Sequence, residues 1–295
     1  MTPQTVREPT PLFAFLTTQW PEVKRTKLKQ WLRFSGIQVN GHPVHKHDHP
    51  LQPGDVVSIH PQKAPPPVTV PLPKGLSIIH EDAALLVIQK PAGLLTIATE
   101  TERTRTAFRV MTDYLRETSR GRQERLWIIH RLDRETSGLL VLAKTEEAKT
   151  WMQENWARME KTYLAIVEGS PSATSGTLQN HLDETQPHRV YVTQRATSTT
   201  REAITHYRRL GQGFGRSLLE VTLDTGRRHQ IRAQLAAAGC PIVGDAKYGA
   251  STDPAKRIAL HACRLKILHP DDDAEMVFES ALPQELARLV PSTPC

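Results

Sequence analysis

The stretch IIHRLDRETSGLLVLAKT, residues 128–145, decides how this chain is read. Its second half, GLLVLAK (138–144), is an apolar strand-like run. Just ahead of it a single aspartate, Asp133, stands between Arg131 and Arg134. Opposite charges close by favour the ionised form of a carboxylate. That suits a nucleophile or an ion-pair anchor better than a general acid. The alternative reading is a salt-bridged loop aspartate that merely opens a strand.

Similar apolar runs recur along the chain: ALLVIQK (84–90), YLAIVEG (163–169) and SLLEVTL (217–223). They alternate with amphipathic stretches such as TRTAFRVMTDYLRET (104–118) and TEEAKTWMQENWARME (145–160), which read as helices. The result is a mixture of strands and helices with irregular spacing. A hairpin is expected to join the strand at 138–144 to the one at 161–169, and the sheet to be mixed and largely antiparallel rather than doubly wound. No GxGxxG or GxxxxGK[ST] pattern is present, which argues against a nucleotide cofactor.

Upstream, HPQKAPPPVTVPLPKG (60–75) is too rich in proline to continue a helix or to serve a central strand. It divides the chain into a small unit at 1–60, an extended linker at 61–75 and a larger domain at 76–295. Residues 1–64 carry eight Lys/Arg against four Asp/Glu, an excess of four out of the net +7. Such an excess favours a polyanionic partner, nucleic acid first. Within this unit VKRTKLKQWLRFSG (23–36) reads as a basic amphipathic helix, with Leu28, Trp31 and Leu32 on one face and Gly36 as its stop. IQVNGHPV (37–44) reads as a hairpin turned by Asn40-Gly41, and LQPGDVVSIH (51–60) as a second turn and strand. The histidines of GHPVHKHDHP (His42, His45, His47, His49) tempt a metal assignment. They lie in a loop without a cysteine partner or a helix to fix ligand geometry, so no metal is expected there.

The composition, 38% hydrophobic and 23% charged, is that of an ordinary soluble protein. No apolar run approaches the length of a bilayer span, and the opening MTPQTVREPT lacks a signal peptide's apolar centre. Cys240, Cys263 and Cys295 have no metal-type spacing and form no disulfide framework, which points to a reducing, cytoplasmic compartment.

Five blocks, taken in order, resemble the RluA-like family of RNA pseudouridine synthases. IIHRLDRETSGLLVLAKT resembles its signature. LVIQKPAGLLTI (86–97) resembles the Lys-Pro-x-Gly segment, and KTYLAIVEG (161–169) the tyrosine block. TGRRHQIRAQLAAAGCPIVGDAKYG (225–249) resembles the arginine block, and IALHACRLKILHP (258–270) the closing segment. The 1–60 unit resembles the S-four-like RNA-binding domain through VNG and PGDVVSI, although Leu12-Phe13-Ala14 stands where that domain usually opens with Arg-Leu-Asp. The resemblance implies an α+β pseudouridine synthase fold, a central sheet flanked by helices around an RNA-binding cleft. It also implies an enzyme that needs no cofactor, because the isomerisation consumes no water and transfers no electrons.

By the same resemblance Asp133, Tyr163 and Arg232 are the catalytic set: the carboxylate, a ring beside the flipped uracil, and the guanidinium that pairs with the aspartate. Arg227 is the rival for the last role. Arg131 maps to a residue that helps to flip the base. His130, Arg134, Lys161, Arg227, Gln230 and Lys90 are expected to contact RNA, and Lys144 to touch phosphates with Lys90 and Lys161. The implied partner is ribosomal RNA or tRNA, with no membrane and no obligate protein partner. Two other functions fit parts of the pattern. A non-catalytic RNA-binding or ribosome-assembly factor on the same scaffold would be expected to lose one of the three catalytic positions, and a base-removing glycosidase would want a second placed carboxylate.

Overall fold

The computed structural model describes residues 1–33, 36–60, 71–119 and 125–290. The chain divides into two compact units, Met1–Val70 and Pro71–Cys295. Most of the proline-rich segment expected to be a linker, 61–70, lies outside the described residues.

In the first unit the strands are β1 (Gln4–Thr5), β2 (Thr10–Pro11), β3 (Ile37–Val39), β4 (His42–Pro43), β5 (Pro50–Leu51) and β6 (Val56–Ile59). A four-stranded sheet in the order β1-β6-β3-β4 and a small β2-β5 ladder accompany helices α1 (Leu12–Gln19) and α2 (Arg25–Arg33). The apolar face read from the sequence is the buried face of α2: Leu28, Trp31 and Leu32 pack with Leu12, Leu16, Ile37 and Ile59. The ammonium groups of Lys27 and Lys29 lie over the Trp31 and Phe13 rings, 5.5 and 5.8 Å from their centres, in cation–π contacts. The Asn40-Gly41 turn has φ 52° and 79°, the pair of positive angles that a two-residue hairpin needs. Among the described residues no group of three or more His, Cys, Asp or Glu side chains is placed to hold a metal ion.

The second unit is built on an eleven-stranded sheet. Its strands are β7 (Ser77–Glu81), β8 (Leu85–Lys90), β9 (Trp127–Ile128), β10 (Ser137–Ala143), β11 (Glu160–Glu168), β12 (Ser175–Asp183), β13 (Tyr191–Thr193), β14 (Thr200–Gly213), β15 (Arg216–Leu223), β16 (Leu260–Leu268) and β17 (Glu275–Glu279). Its helices are α3 (Ala107–Thr118), α4 (Glu146–Glu154), α5 (Gln230–Ala237) and α6 (Gln284–Ala287). The main path runs β13-β12-β14-β15-β11-β16-β10-β8-β7, with β17 added to β16 and β9 to β10. The β10–β16 ladder is parallel and the other ladders are antiparallel, so the sheet is mixed and largely antiparallel.

Every residue of β10 is buried, which explains its unbroken apolar run. Leu140 and Leu142 face one way, into the core that holds Met111 and Leu115 of α3. Leu139, Val141 and Ala143 face the other, against Ala148 and Met152 of α4. The two helices start at side-chain caps: Thr106 accepts from the Arg109 N–H and Thr145 from the Ala148 N–H.

The expected hairpin between β10 and β11 does not form. β16, which begins more than a hundred residues after β10, lies between them, pairing Gly138 with Ala262 on one side and Tyr163 with Ala262 on the other. Gly138 makes this insertion possible. It sits at φ +122°, and a Cβ there would lie 2.2 Å from the Ala262 carbonyl oxygen. No local sequence pattern encodes a contact of that range. Among the described residues no helix is long and apolar enough to cross a bilayer.

Candidate active site

Asp133 sits in the loop between β9 and β10, in a turn closed by the Thr136 N–H on its own carbonyl at 3.2 Å. The segment after β8 holds this loop from the side. Thr96 Oγ1 donates to the Leu132 carbonyl at 2.7 Å and accepts from the Leu132 N–H at 3.2 Å. The Gly93 N–H donates to the Arg134 carbonyl, and Arg134 Nε returns a bond to the Gly93 carbonyl at 3.1 Å. Lys90 is fully buried, and its ammonium donates to the carbonyls of Pro91, Leu94 and Arg134 at 3.0, 2.8 and 3.3 Å. Burial lowers its pKa to about 7, against the pull of Asp133 and Glu135.

From below, Arg257 Nη2 and the His261 ring both meet Ser137 Oγ, at 2.5 and 2.8 Å, and His261 Nε2 reaches Ser280 Oγ at 2.9 Å. His261 is fully buried, and burial lowers its pKa to about 4, so it is a neutral link in that chain. The aspartate is thus placed by hydrogen bonds from β8, β10 and β16, with little left to its own turn.

Arg232, on α5, closes the site from the opposite side and is 2% exposed. Its Nε and Nη2 bind the Asp245 carboxylate at 2.7 and 3.0 Å, and its Nη1 donates to Asp133 Oδ2 at 3.2 Å. Glu135 Oε2 stands 3.5 Å from the same Nη1. Burial opposes the charge on Arg232, but Asp245, Asp133 and Glu135 outweigh it and the pKa is raised. The planar fork fixes the angle at which Asp133 is approached.

His229, the residue before α5, adopts a left-handed φ of 52°, which brings Nε2 to 3.9 Å from Asp133 Oδ2. Its Nδ1 lies 2.9 Å from Tyr248 Oη, which also accepts from the Val190 N–H. Burial lowers the His229 pKa, against the opposing pull of Asp133, with Arg232, Lys247 and Arg228 adding to the lowering. The Arg232 and His229 contacts both fall on Oδ2. Among the described residues Asp133 Oδ1 has no hydrogen-bond partner, so one carboxylate oxygen is held and the other is left open.

Tyr163, on β11, is 9% exposed; burial and then the Asp133 charge raise its pKa, so the phenol stays protonated. Asp133, in the loop ahead of β10, therefore meets Arg232 of α5 directly, and its charge reaches Tyr163 on β11. Arg131 and Arg134 are both exposed. The cation paired with Asp133 is Arg232, with the His229 ring beside it at 3.9 Å, a correction to the reading in which its two sequence neighbours supply the counter-charge. Arg227 does not compete with Arg232, because its Nε is committed to the Glu202 carbonyl at 3.1 Å.

Several expected RNA contacts are structural instead. Lys90 is spent on three carbonyls. Lys144, also buried, donates to Glu81 Oε1 at 2.6 Å. Gln230 is 2% exposed, and its amide bridges Thr225, the Arg227 N–H, the Ile204 carbonyl and Thr205. A side chain that desolvated and that fully bonded has nothing left for a phosphate. His130 accepts from the Val141 N–H and packs on Trp156 at 4.6 Å, and burial, then Lys161, lowers its pKa to about 3. Lys161 reaches over the same Trp156 ring at 5.3 Å and is half-buried. Asp245, His229 and Tyr248 lie within the arginine block, but no spacing rule singles out a carboxylate thirteen residues beyond its guanidinium.

A family model for RNA pseudouridylate synthase matches residues 84–237, which include Asp133, Tyr163 and Arg232. The ribosomal large subunit pseudouridine synthase D of Xylella fastidiosa is 33% identical over 293 residues, covering 94% of this chain and 87% of that protein. YlyB of Bacillus subtilis, an uncharacterized RNA pseudouridine synthase, is 32% identical over 94% of this chain and 91% of its own length. Among solved structures, human RNA pseudouridylate synthase domain containing 4 superposes with a TM-score of 0.57 at 27% identity, covering 72% of this chain and 92% of that one.

Proposed function

The chain belongs to the RNA pseudouridylate synthase family and is an RNA-modifying isomerase, and from that premise we propose that it converts uridine to pseudouridine in ribosomal RNA, with Asp133 as the reacting carboxylate. The reaction breaks the C1′–N1 bond, turns the uracil and joins C1′ to C5; a proton leaves C5 and N1 gains one. Atoms and electrons balance without water, metal or cofactor, so activity should be indifferent to EDTA and to dialysis.

One observation carries the assignment: Asp133 is anchored through Oδ2 by Arg232 while Oδ1 stays open. A carboxylate oriented by a guanidinium that is itself locked on Asp245 loses little freedom when the nucleotide arrives. Tyr163 supplies a ring against which an extruded uracil can lie and a neutral hydroxyl for proton transfer at C5. Arg131, exposed on the same loop, fills the gap the base leaves. The first unit, through its basic α2 and hairpin, acts as an S-four-like RNA-binding domain. The ribosomal substrate is inferred from the printed names of relatives such as the Xylella enzyme and from this second basic contact. A cytoplasmic site of action accords with the free thiols of Cys240 and Cys263.

The test is Asp133→Asn, which keeps volume and planarity and removes the charge. Pseudouridine formation should fall by more than about 10³-fold while RNA affinity changes little. A folded variant that isomerises uridine near the wild-type rate would remove Asp133 from the mechanism. Release of free uracil by the unaltered protein would replace the isomerase with a glycosidase.

A further inference from the structure

Beside the catalytic set lies a cation that the reaction does not use. Arg189, exposed just before β13, holds its guanidinium 5.4 Å from the Tyr191 ring centre and 5.5 Å from that of Tyr248. Among the described residues it has no carboxylate partner and no hydrogen-bond acceptor. Tyr248 is the same ring on which Arg232 packs at 5.2 Å, and its hydroxyl bonds His229, which faces Asp133. Arg189 and the guanidinium that orients the reacting carboxylate therefore share one aromatic ring.

The loop that delivers Arg189 is fastened to the start of α5. Arg228 donates to the carbonyls of Glu184, Gln186 and Pro187 at 3.1, 2.6 and 2.6 Å, and its own N–H bonds Glu184 Oε1 at 3.1 Å. Such anchoring removes much of the entropy that a long side chain on a free loop would lose on binding. Lys247 and Arg228 add positive charge around His229. A guanidinium flanked by aromatic rings, with all its donors unused at the rim of a site that must admit a polyanion, matches the bidentate geometry of a phosphate.

We propose that Arg189, held by Tyr191 and Tyr248, binds a backbone phosphate of the RNA next to the flipped uridine and so sets the register of the target nucleotide over Asp133. The proposal rests on Asp133 as the reacting centre. The ligand is the phosphate, so Arg189 contributes affinity and position and little discrimination among bases.

The experiment uses the full chain and an unmodified transcript of large-subunit ribosomal RNA, with binding measured from 50 to 200 mM salt. Each variant is made alone and on the Asp133→Asn background, where no turnover disturbs the equilibrium. Arg189→Gln is expected to weaken binding about tenfold. It should also make the slope of log K against log salt less negative by about 0.7–0.9, the signature of one lost phosphate contact. Tyr191→Leu, which keeps the charge and removes one wall, is expected to weaken binding by a smaller factor with the slope retained.

An Arg189→Gln protein with unaltered affinity and slope overturns the proposal. So does one whose melting temperature and turnover fall while the slope stays, because that pattern marks a merely structural arginine. Failure of the catalytic reading appears separately, as an active Asp133→Asn protein, and leaves the salt slope measurable.

Discussion

Arg232 and Asp245, both almost fully buried, face each other through two parallel hydrogen bonds of 2.7 and 3.0 Å. That pairing gives the guanidinium a counter-charge and two of its five hydrogen bonds before Asp133 is counted. Asp133 is thus the beneficiary of a prebuilt cation rather than its only counter-charge. The distinction separates stability from catalysis.

The first prediction follows from it. Asp245→Asn leaves a buried arginine short of its main partner and should destabilise the protein by about 3–5 kcal/mol. Asp133→Asn, with Asp245 still in place, should cost no more than about 1 kcal/mol. Denaturant melts of the two variants, set beside their turnover, check both values. Equal destabilisation would mean that the two carboxylates share the arginine evenly.

Gly138 is the second. Gly138→Ala places a methyl 2.2 Å from the Ala262 carbonyl, at a φ of +122° that L-residues avoid. The β10–β16 ladder must open, and the loop carrying Asp133 moves with it. A loss of about 3 kcal/mol or more is expected, with turnover reduced well beyond the change in folded fraction. A stable, active Gly138→Ala enzyme would show that the strands can part without disturbing the site.

The third concerns the basic helix of the first unit. Lys24 and Arg25 are exposed, and replacing both by Gln should make the salt slope of RNA binding less negative by about 1.5. Melting should change little, since neither side chain belongs to the buried cluster of Leu28, Trp31 and Leu32. An unchanged slope would remove α2 from the RNA contact surface.

The fourth is a pH dependence remote from the site. Asp82 accepts from His80 and His269 at 2.7 and 3.1 Å. Burial works against the His269 charge, but Asp82 outweighs it and the pKa is raised. Burial likewise opposes the Asp82 charge, while His269, His80 and the Leu85 N–H lower its pKa more strongly. A raised histidine stabilises fully below its unfolded pKa, about 6.5, and its contribution fades as pH rises through the folded value. A lowered aspartate stabilises above its unfolded pKa, about 3.9, and is lost as pH falls toward the folded value. The pair therefore contributes most between about pH 4 and 6.5. The gap in melting temperature between wild type and His269→Gln should be wider at pH 5.5 than at pH 8.5; a gap that is constant with pH would rule the pairing out.

Much of this protein was legible in the residues alone. The 3.6-residue spacing of Leu28, Trp31 and Leu32 marks the buried face of α2, and Asn40-Gly41 marks a turn, because both depend on neighbours only a few positions away. The apolar run after Asp133 is strand-like for the same local reason. The five ordered blocks carry the family, and with it the mixed sheet. What the sequence could not contain is distance. Lys90 looks like a free cation in a string of letters, yet it spends its donors on carbonyls of its own chain, because the Pro91–Leu94 segment folds back over the ammonium. Arg131 and Arg134 flank Asp133 in sequence, while the cation that binds it comes from 99 positions away. The β10–β11 hairpin is replaced by a strand inserted from residues 260–268, since a glycine without Cβ lets two backbones approach. Tertiary packing decided these points, because burial and partner choice belong to contacts between segments that no local spacing relates.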